Sequence, residues 1–272
     1  MEYKICVSTD KGTVKEVNQD AAIVKVAATK SHGRILFAVM CDGMGGLSCG
    51  EVASSMAVKR FENWFLTELP GALAATNATE RLDGPETDGG CIDEIAREWN
   101  ILAQDINNEL IAYGNSNCLK LGTTVVCAIV IGDEFLIMNI GDSRAYLIDD
   151  NEVSLITHDQ SLVQDMIDRG VMTPEQAEES TQKSVLLQCL GAAGSVSPQL
   201  IRGEITSPAS LILCSDGFWR KLCREELLEA AATAKDKDEP EMKAELDRLI
   251  ELVKSRGETD NITAVEIGFL KC

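Results

Sequence analysis

Aspartates at the ends of strand-like runs are the residues whose type and placement in this sequence suggest chemistry. Asp20 directly precedes the apolar run at residues 21–28, and Asp42 directly follows the run at residues 35–41. The residues between the two runs, 29–33, have the composition of a hairpin turn. In an antiparallel hairpin the start of one strand and the end of the next lie at the same edge, so these two carboxylates should be neighbours.

Three further aspartates occupy comparable positions downstream. Asp142 closes a second predicted hairpin, whose turn is Gly132-Asp133. Asp216 follows one apolar run and Asp260 precedes another, so these two share an edge if the runs pair in antiparallel fashion. Such Asp and Gly residues can simply end strands, but several carboxylates at one edge raise one another's pKa unless a cation neutralises them.

The residue types narrow the choice of cation. Carboxylate oxygens without nearby histidine or cysteine suit Mg²⁺ or Mn²⁺ better than zinc. The chain contains two histidines, so a histidine-rich metal site or a Ser-His-Asp triad has little material. The sequence therefore predicts a site for a hard divalent cation.

The elements that must position these residues follow from hydrophobic periodicity. Strands are predicted over residues 3–9, 21–28, 34–41, 123–131, 134–140, 144–149, 152–156, 199–206, 210–214 and 261–268. Helices are predicted over residues 50–68, 93–113 and 239–255. Residues 70–90, rich in Ala, Thr, Gly and Asp, are predicted to form a loop. Strands at both ends with helices between them indicate one α+β domain whose sheets are covered by helices.

Composition excludes some partners. The net charge is −19, with 44 acidic and 25 basic residues, which argues against nucleic-acid and anionic-membrane surfaces because both need basic patches. The 10 cysteines contain no C-x-x-C pair, and several lie in apolar runs, as expected in a reducing cytosol. We expect no signal peptide and no membrane span, and hence a cytoplasmic protein.

A set of short segments, taken in order along the chain, resembles a known family. The segments are Asp10-Lys11-Gly12, Asn18-Gln19-Asp20, Asp42-Gly43-Met44-Gly45-Gly46, Gly122-Thr123-Thr124, Gly141-Asp142-Ser143-Arg144, Ser215-Asp216-Gly217 and Asp260-Asn261. They resemble the metal-dependent serine/threonine protein phosphatases of type 2C, the bacterial branch in particular, from about residue 5 to 268. The resemblance implies a four-layer α-β-β-α sandwich of two antiparallel sheets flanked by helices. It also implies a single catalytic domain over residues 1–272, with a flap at about 159–191.

The resemblance further implies a dinuclear centre of two Mn²⁺ or Mg²⁺ ions. Asp42 would bridge both ions with the Gly43 carbonyl as a further ligand, and Asp216 and Asp260 would bind one of them. Asp20 would lie close by and act through water. Asp142 matches a position linked to a third, weaker ion. The full implied ligand set is Asp20, Asp42, Gly43, Asp142, Asp216 and Asp260.

Some positions depart from the family pattern. Lys15 stands where an arginine commonly grips the substrate phosphate, so the charge is kept but the bidentate fork is lost. Gln19 replaces a glutamate that helps to hold one metal through solvent in some members. Met44 replaces a histidine proposed as the general acid in many eukaryotic members. His158, at the start of the flap, is a candidate for substrate binding, with an exposed loop residue as the alternative.

The implied reaction is attack by a metal-bridging hydroxide on phosphoserine or phosphothreonine, with no phosphoenzyme; Asp20, Asp42 and Lys15 would carry it. The expected partners are phosphorylated proteins in bacterial signalling, opposed by a cognate kinase, and the chain is expected to be a monomer. One alternative is a pseudophosphatase that binds without turnover. Others are a calcium-binding structural protein, which the lack of a D-x-[DN]-x-[DN]-G loop disfavours, and an enzyme acting on a small phosphorylated molecule or an anti-sigma-type regulator.

Overall fold

The computed structural model describes residues 2–44, 49–79, 90–149, 152–192, 194–205, 208–232 and 237–270. In this part of the chain the strands are β1 (Glu2–Asp10), β2 (Asp20–Thr29), β3 (Gly33–Asp42), β4 (Val125–Ile131), β5 (Glu134–Ile140), β6 (Arg144–Ile148), β7 (Val153–Leu155), β8 (Gln199–Glu204), β9 (Ala209–Cys214) and β10 (Ile262–Leu270). The helices are α1 (Gly50–Thr67), α2 (Leu69–Thr79), α3 (Cys91–Asn117), α4 (Leu162–Asp168), α5 (Pro174–Glu179), α6 (Asp216–Trp219), α7 (Arg224–Ala232) and α8 (Glu239–Ser255).

The strands form two five-stranded antiparallel sheets. One has the order β1-β10-β9-β6-β7 and the other the order β2-β3-β4-β5-β8. Each predicted strand is present within a few residues of its expected bounds. The predicted antiparallel pairing of residues 210–214 with 262–267 is confirmed, with Ala264 opposite Cys214.

Successive side chains of the central strands belong alternately to two different layers of the core. In β3 the odd residues Ile35, Phe37 and Val39 belong to the core under the helices, whereas the even residues Leu36 and Ala38 belong to the core between the sheets. Because side chains of a strand point alternately to opposite faces, a strand covered on both sides must be apolar throughout. This explains why the run reads as continuous rather than alternating.

Helices cover both outer faces. Phe61 and Trp64 of α1, with Trp99 of α3, pack on the face of β3, where Trp64 and Trp99 lie 5.8 and 6.0 Å from the ring of Phe37. On the other sheet, α8 buries its apolar face, which includes Leu246, in the core. The predicted four-layer α-β-β-α sandwich is confirmed.

The prediction of a loop over residues 70–90 is wrong for its first half. Residues up to 79 form α2, because Leu69, Ala72 and Leu73 bury an i, i+3, i+4 stripe against the core. Pro70 does not break this helix, since a proline in the first turn gives up an N–H that has no intrahelical partner. Residues 80–89 lie outside the described residues, and Gly90 precedes α3.

Two short helices, α4 and α5, follow β7 in the segment that the resemblance identifies as a flap. Ser161 caps α4 by accepting a hydrogen bond from the Gln164 backbone, and Thr173 forms a capping box with Gln176 at the start of α5. We call residues 159–191 the flap. Among the described residues, none of the helices combines the length and the apolar character that crossing a membrane requires.

Candidate active site

The first predicted pair of carboxylates is formed by the β2–β3 hairpin. Asp20 and Asp42 are directly opposite each other in the register. The end of β3 is held by the next strand: the Asp42 amide donates to the Thr124 hydroxyl at 3.1 Å, and the Asp42 carbonyl accepts from the Thr123 hydroxyl at 2.8 Å. The prediction that the hairpin register brings these two aspartates together is confirmed.

The β1-β10-β9-β6-β7 sheet brings its aspartates to the corresponding edge. β6 and β10 both pair with β9, so Asp142 before β6, Asp216 after β9 and Asp260 before β10 lie at the same end of these strands. The two edges meet, because Asp42 interacts electrostatically with Asp20, Asp216, Asp142 and Asp260. The structure thus places the five predicted aspartates in one group, which we call the carboxylate cluster.

Burial makes this cluster costly without a cation. Burial, followed by repulsion from Asp216 and Asp260, raises the pKa of Asp20 to about 7; the nearby Thr263 and Ser215 hydroxyls lower it in part, although neither has the geometry of a hydrogen bond to Asp20. The pKa of Asp42 is raised well above its ordinary value by burial and by the neighbouring carboxylates. Burial also raises the pKa of Asp142 to about 7.

Unsatisfied oxygens show what the cluster can hold. Both side-chain oxygens of Asp20 and Oδ1 of Asp216 are buried and have no hydrogen-bond partner among the described residues. Buried polar atoms are almost always paired, and hard oxygen donors are the ligands of Mg²⁺ and Mn²⁺. Across the residues described here, no three carboxylate, imidazole or thiol groups form a closed ligand set. The donor set fits a hard divalent ion.

Among the described residues, two side-chain cations contact aspartates of the cluster. Lys15 Nζ lies 2.7 Å from Asp260 Oδ1, and Arg220 contacts Asp142 and Asp216 at 3.0 and 2.8 Å. The pKa of Lys15 is raised: partial burial lowers it, but the hydrogen bond to Asp260 and the field of the carboxylates outweigh that effect. The sequence analysis anticipated Lys15 and missed Arg220.

Gly43 is fixed between two elements. Its amide donates to the Gln19 carbonyl at 3.1 Å, and a Cβ at this position would overlap the Gly50 carbonyl oxygen at the start of α1. Only glycine permits this close approach. The Gln19 side chain is held at the start of α1, where its amide donates to Glu51 at 3.0 Å. Gly45 and Gly46 of the same motif lie outside the described residues.

His158 has its partner within the flap. Its Nε2 lies 2.7 Å from Asp168 Oδ2 at the end of α4, and the side chain is half exposed. The structure therefore does not bring this ring into contact with the carboxylate cluster. Its role in substrate binding stays a prediction.

Arg144 and Asn261 are functional candidates that sequence reasoning left without a role, although both stood in the quoted motifs. Arg144 forms a bidentate pair with Asp159, at 2.9 and 2.8 Å, and stacks 3.3 Å from the ring centroid of Trp219. It thereby fixes the first residue of the flap to β6. Asn261 Oδ1 accepts a hydrogen bond from the backbone N–H of Gln19 at 2.9 Å, and its Nδ2 donates to the Lys11 carbonyl at 2.9 Å. Asn261 therefore anchors the loop that carries Lys15.

A cleft of about 750 Å³ runs from the carboxylate cluster beneath the flap. Asp142, Arg220 and Asp260 lie at its polar end. Its other walls include apolar side chains of the flap, β7 and α7, among them Leu155, Val163, Ile167, Ala177 and Leu227. The site is therefore open to a ligand much larger than a phosphate ion.

Fold and site together define a class: an antiparallel α-β-β-α sandwich with a carboxylate-rich, cation-binding edge next to a cleft. A sequence model of the family described as protein phosphatase 2C matches residues 10–255. The chain is 30% identical over 262 residues to the serine/threonine phosphatase stp of Listeria monocytogenes, covering 94% of this chain and 92% of that protein.

Solved structures agree with the sequence comparison. The serine/threonine phosphatase Stp1 from Staphylococcus aureus matches 100% of this chain and 96% of its own, with a TM-score of 0.80 and 26% identity. The catalytic domain of the phosphatase PstP, solved with 2 manganese ions, matches 99% of both chains with a TM-score of 0.69 and 28% identity. The chain belongs to the protein phosphatase 2C family and is a serine/threonine protein phosphatase; the comparisons do not support the pseudophosphatase alternative.

Proposed function

We propose that this phosphatase hydrolyses phosphoserine and phosphothreonine in proteins with the help of two divalent ions, Mn²⁺ or Mg²⁺, held by the carboxylate cluster. The observation that carries the proposal is a set of buried oxygens on Asp20 and Asp216, next to Asp42, that have no hydrogen-bond partner in the described part of the chain. The two manganese ions in the related PstP structure support the number. When bound, such ions activate water and offset charge on the phosphoryl oxygens.

The proposed ligands are distributed over both sheets. Asp42 interacts with the other four aspartates and would help to hold both ions, with the Gly43 carbonyl as a further ligand. Asp216 and Asp260 would bind one ion, and Asp20 would act through water. The two sheets fix the relative positions of these groups, which preorganises the site before substrate arrives.

Lys15 is the proposed phosphate-binding group. Its ammonium group stands at the rim of the cluster, with the side chain 31% exposed. It can exchange its contact with Asp260 for a phosphoryl oxygen without leaving a buried charge behind, because Asp260 is itself 39% exposed. The lysine gives one charged donor, where an arginine would give a bidentate fork.

The cleft and the flap would receive the protein part of the substrate. The contiguity of the cleft with the cluster and its apolar walls suit a peptide segment that carries the phosphorylated residue. Arg144, through Asp159, would keep the base of the flap in place. The natural substrates, an opposing kinase, a monomeric state and a single catalytic domain over the whole chain stay predictions. A reducing cytoplasm suits the buried free thiols, such as Cys41 and Cys127.

The test is hydrolysis of p-nitrophenyl phosphate and of matched phosphothreonine, phosphoserine and phosphotyrosine peptides, with Mn²⁺, Mg²⁺ or EDTA. We expect metal-dependent turnover of the first two peptides. Asp42→Asn should lower kcat/KM by more than about 100-fold, because loss of a group that only hydrogen-bonds to a metal ligand already costs about 10–100-fold. Asp133→Asn, an exposed aspartate in the β4–β5 turn, is the matched control and should keep full activity. Turnover in EDTA, or retained activity in Asp42→Asn, would contradict the proposal.

A further inference from the structure

Arg220 lies between two carboxylates of the cluster. Its Nη1 is 2.8 Å from Asp216 Oδ2 and its Nη2 is 3.0 Å from Asp142 Oδ2, while its side chain is 16% exposed. The local fold explains this position. Asp216–Trp219 forms the single turn α6, so residue 220 returns above residue 216 at i+4 spacing.

The guanidinium group is held from several sides. The Arg220 amide donates to the Asp216 carbonyl at 3.1 Å. The indole of Trp219 donates to the Asp142 carbonyl at 3.0 Å, and its ring lies 5.6 Å from the Arg220 guanidinium. Nη2 also donates to the Lys183 carbonyl of the flap at 3.4 Å. Arg220 is therefore a fixed part of the cluster and not a solvated surface charge.

The balance of charge depends on this residue. Within the described residues, seven carboxylates interact around the cluster: Asp20, Asp42, Asp142, Asp159, Asp216, Glu258 and Asp260. Three side-chain cations face them: Lys15, Arg220, and Arg144, which is paired with Asp159. If all these groups are ionised, four negative charges are left, which two divalent ions neutralise. A third divalent ion would make the cluster positive and would stand beside a guanidinium group.

We propose that Arg220 is a built-in cation that takes the position beside Asp142 predicted for a third ion, and thereby limits the carboxylate cluster to two divalent ions. This inference rests on the proposed two-metal function. Arginine suits the role because it stays protonated and presents N–H groups in a rigid plane to two carboxylates. Unlike a weakly bound ion, it cannot be lost when the metal concentration falls.

The test counts bound ions directly. Mn²⁺ stoichiometry is measured by equilibrium dialysis with elemental analysis and by calorimetric titration, on the full chain, for wild type, Arg220→Ala and Arg220→Lys. Arg224→Ala is the matched control, since Arg224 lines the same cleft but its ion-pair contact is Glu152 at 3.5 Å. Circular dichroism monitors folding of each variant.

We expect two ions in wild type, in Arg220→Lys and in Arg224→Ala, and three in Arg220→Ala. Three ions in wild type, or no gain in folded Arg220→Ala, would overturn the inference. If Arg220→Ala does not fold, Arg220→Gln, which keeps two N–H donors without the charge, replaces it under the same expectation. A wild-type protein that binds no ion would instead refute the proposed function, so the two failures are distinguishable.

Discussion

Replacing Lys15 with alanine separates the part this charge plays in phosphate binding from its part in the fold. The Lys15–Asp260 pair is short, at 2.7 Å, but both side chains are about a third exposed. Pairs of this kind contribute only about 0.2–1 kcal/mol to stability. We therefore expect the unfolding free energy of Lys15→Ala to fall by less than about 1 kcal/mol, as measured by urea denaturation.

The effect on catalysis should be larger. A hydrogen bond from a charged donor contributes about 1.5–3 kcal/mol, which corresponds to roughly a 10- to 150-fold loss in kcat/KM. The assay is steady-state hydrolysis of a phosphothreonine peptide at saturating Mn²⁺. Lys15→Arg should match or exceed wild type, because the guanidinium offers a bidentate contact to phosphate.

Two further measurements make the reasoning refutable. Lys11→Ala, which removes an exposed lysine from the same loop, is the control and should leave kcat/KM unchanged. Mn²⁺ affinity should not fall in Lys15→Ala, because the substitution frees Asp260 as a ligand. A kcat/KM within twofold of wild type would refute the phosphate-binding role, and a loss of activity that tracks a loss of Mn²⁺ affinity would show that Lys15 acts through the metal site.

Three other substitutions test the fold around the site. Burial raises the pKa of Glu266 from 4.5 to about 7, so the wild-type protein loses stability as the pH rises through this range, where the unfolded chain releases the proton first. Glu266→Gln should therefore raise the unfolding free energy by up to about 3 kcal/mol at pH 8 and leave it unchanged at pH 4. Equal effects at both pH values would contradict this explanation. Gly12 has a φ of +75°, and a Cβ there would overlap the Asp260 carbonyl oxygen. Gly12→Ala should therefore lower the free energy of unfolding, measured by urea denaturation, by about 1–3 kcal/mol and lower activity by moving the loop that carries Lys15. Full activity would show that the loop tolerates the shift. Arg144→Met leaves Asp159, whose side chain is 6% exposed, without its partner, and should lower the free energy of unfolding by about 3–5 kcal/mol. Recovery of stability in the double variant with Asp159→Leu would confirm the cause, whereas an unchanged melting curve for Arg144→Met would exclude it.

The sequence was sufficient wherever the determining pattern is local. The Asp20–Asp42 pair followed from one hairpin, because strand length and turn position fix which residues end at the open edge. The strands of both sheets followed from continuous apolar runs, since strands covered on two faces have no polar side. The ordered motifs were enough to indicate the family, and the comparisons confirmed it.

Local patterns failed where burial overrode them. Residues 70–79 contain proline and glycine and were predicted to be a loop, yet they form α2 because Leu69, Ala72 and Leu73 find a core to pack against. The hydrophobic gain from such a stripe depends on what lies opposite. That surface is provided by helices and strands elsewhere in the chain, so no window of sequence contains it.

The tertiary structure decided which cations contact which aspartates, although the family pattern had already indicated Lys15. Lys15 meets Asp260 across 245 positions of the chain, and Arg220 meets Asp142 across 78. A lysine or arginine looks the same in the sequence whether it is solvated or buried beside carboxylates. The direction of its long side chain is set by the packing around it. The sequence determined that carboxylates gather at one edge, whereas only the packing of the two sheets determined that Lys15 contacts Asp260 and that Arg220 reaches Asp142 and Asp216.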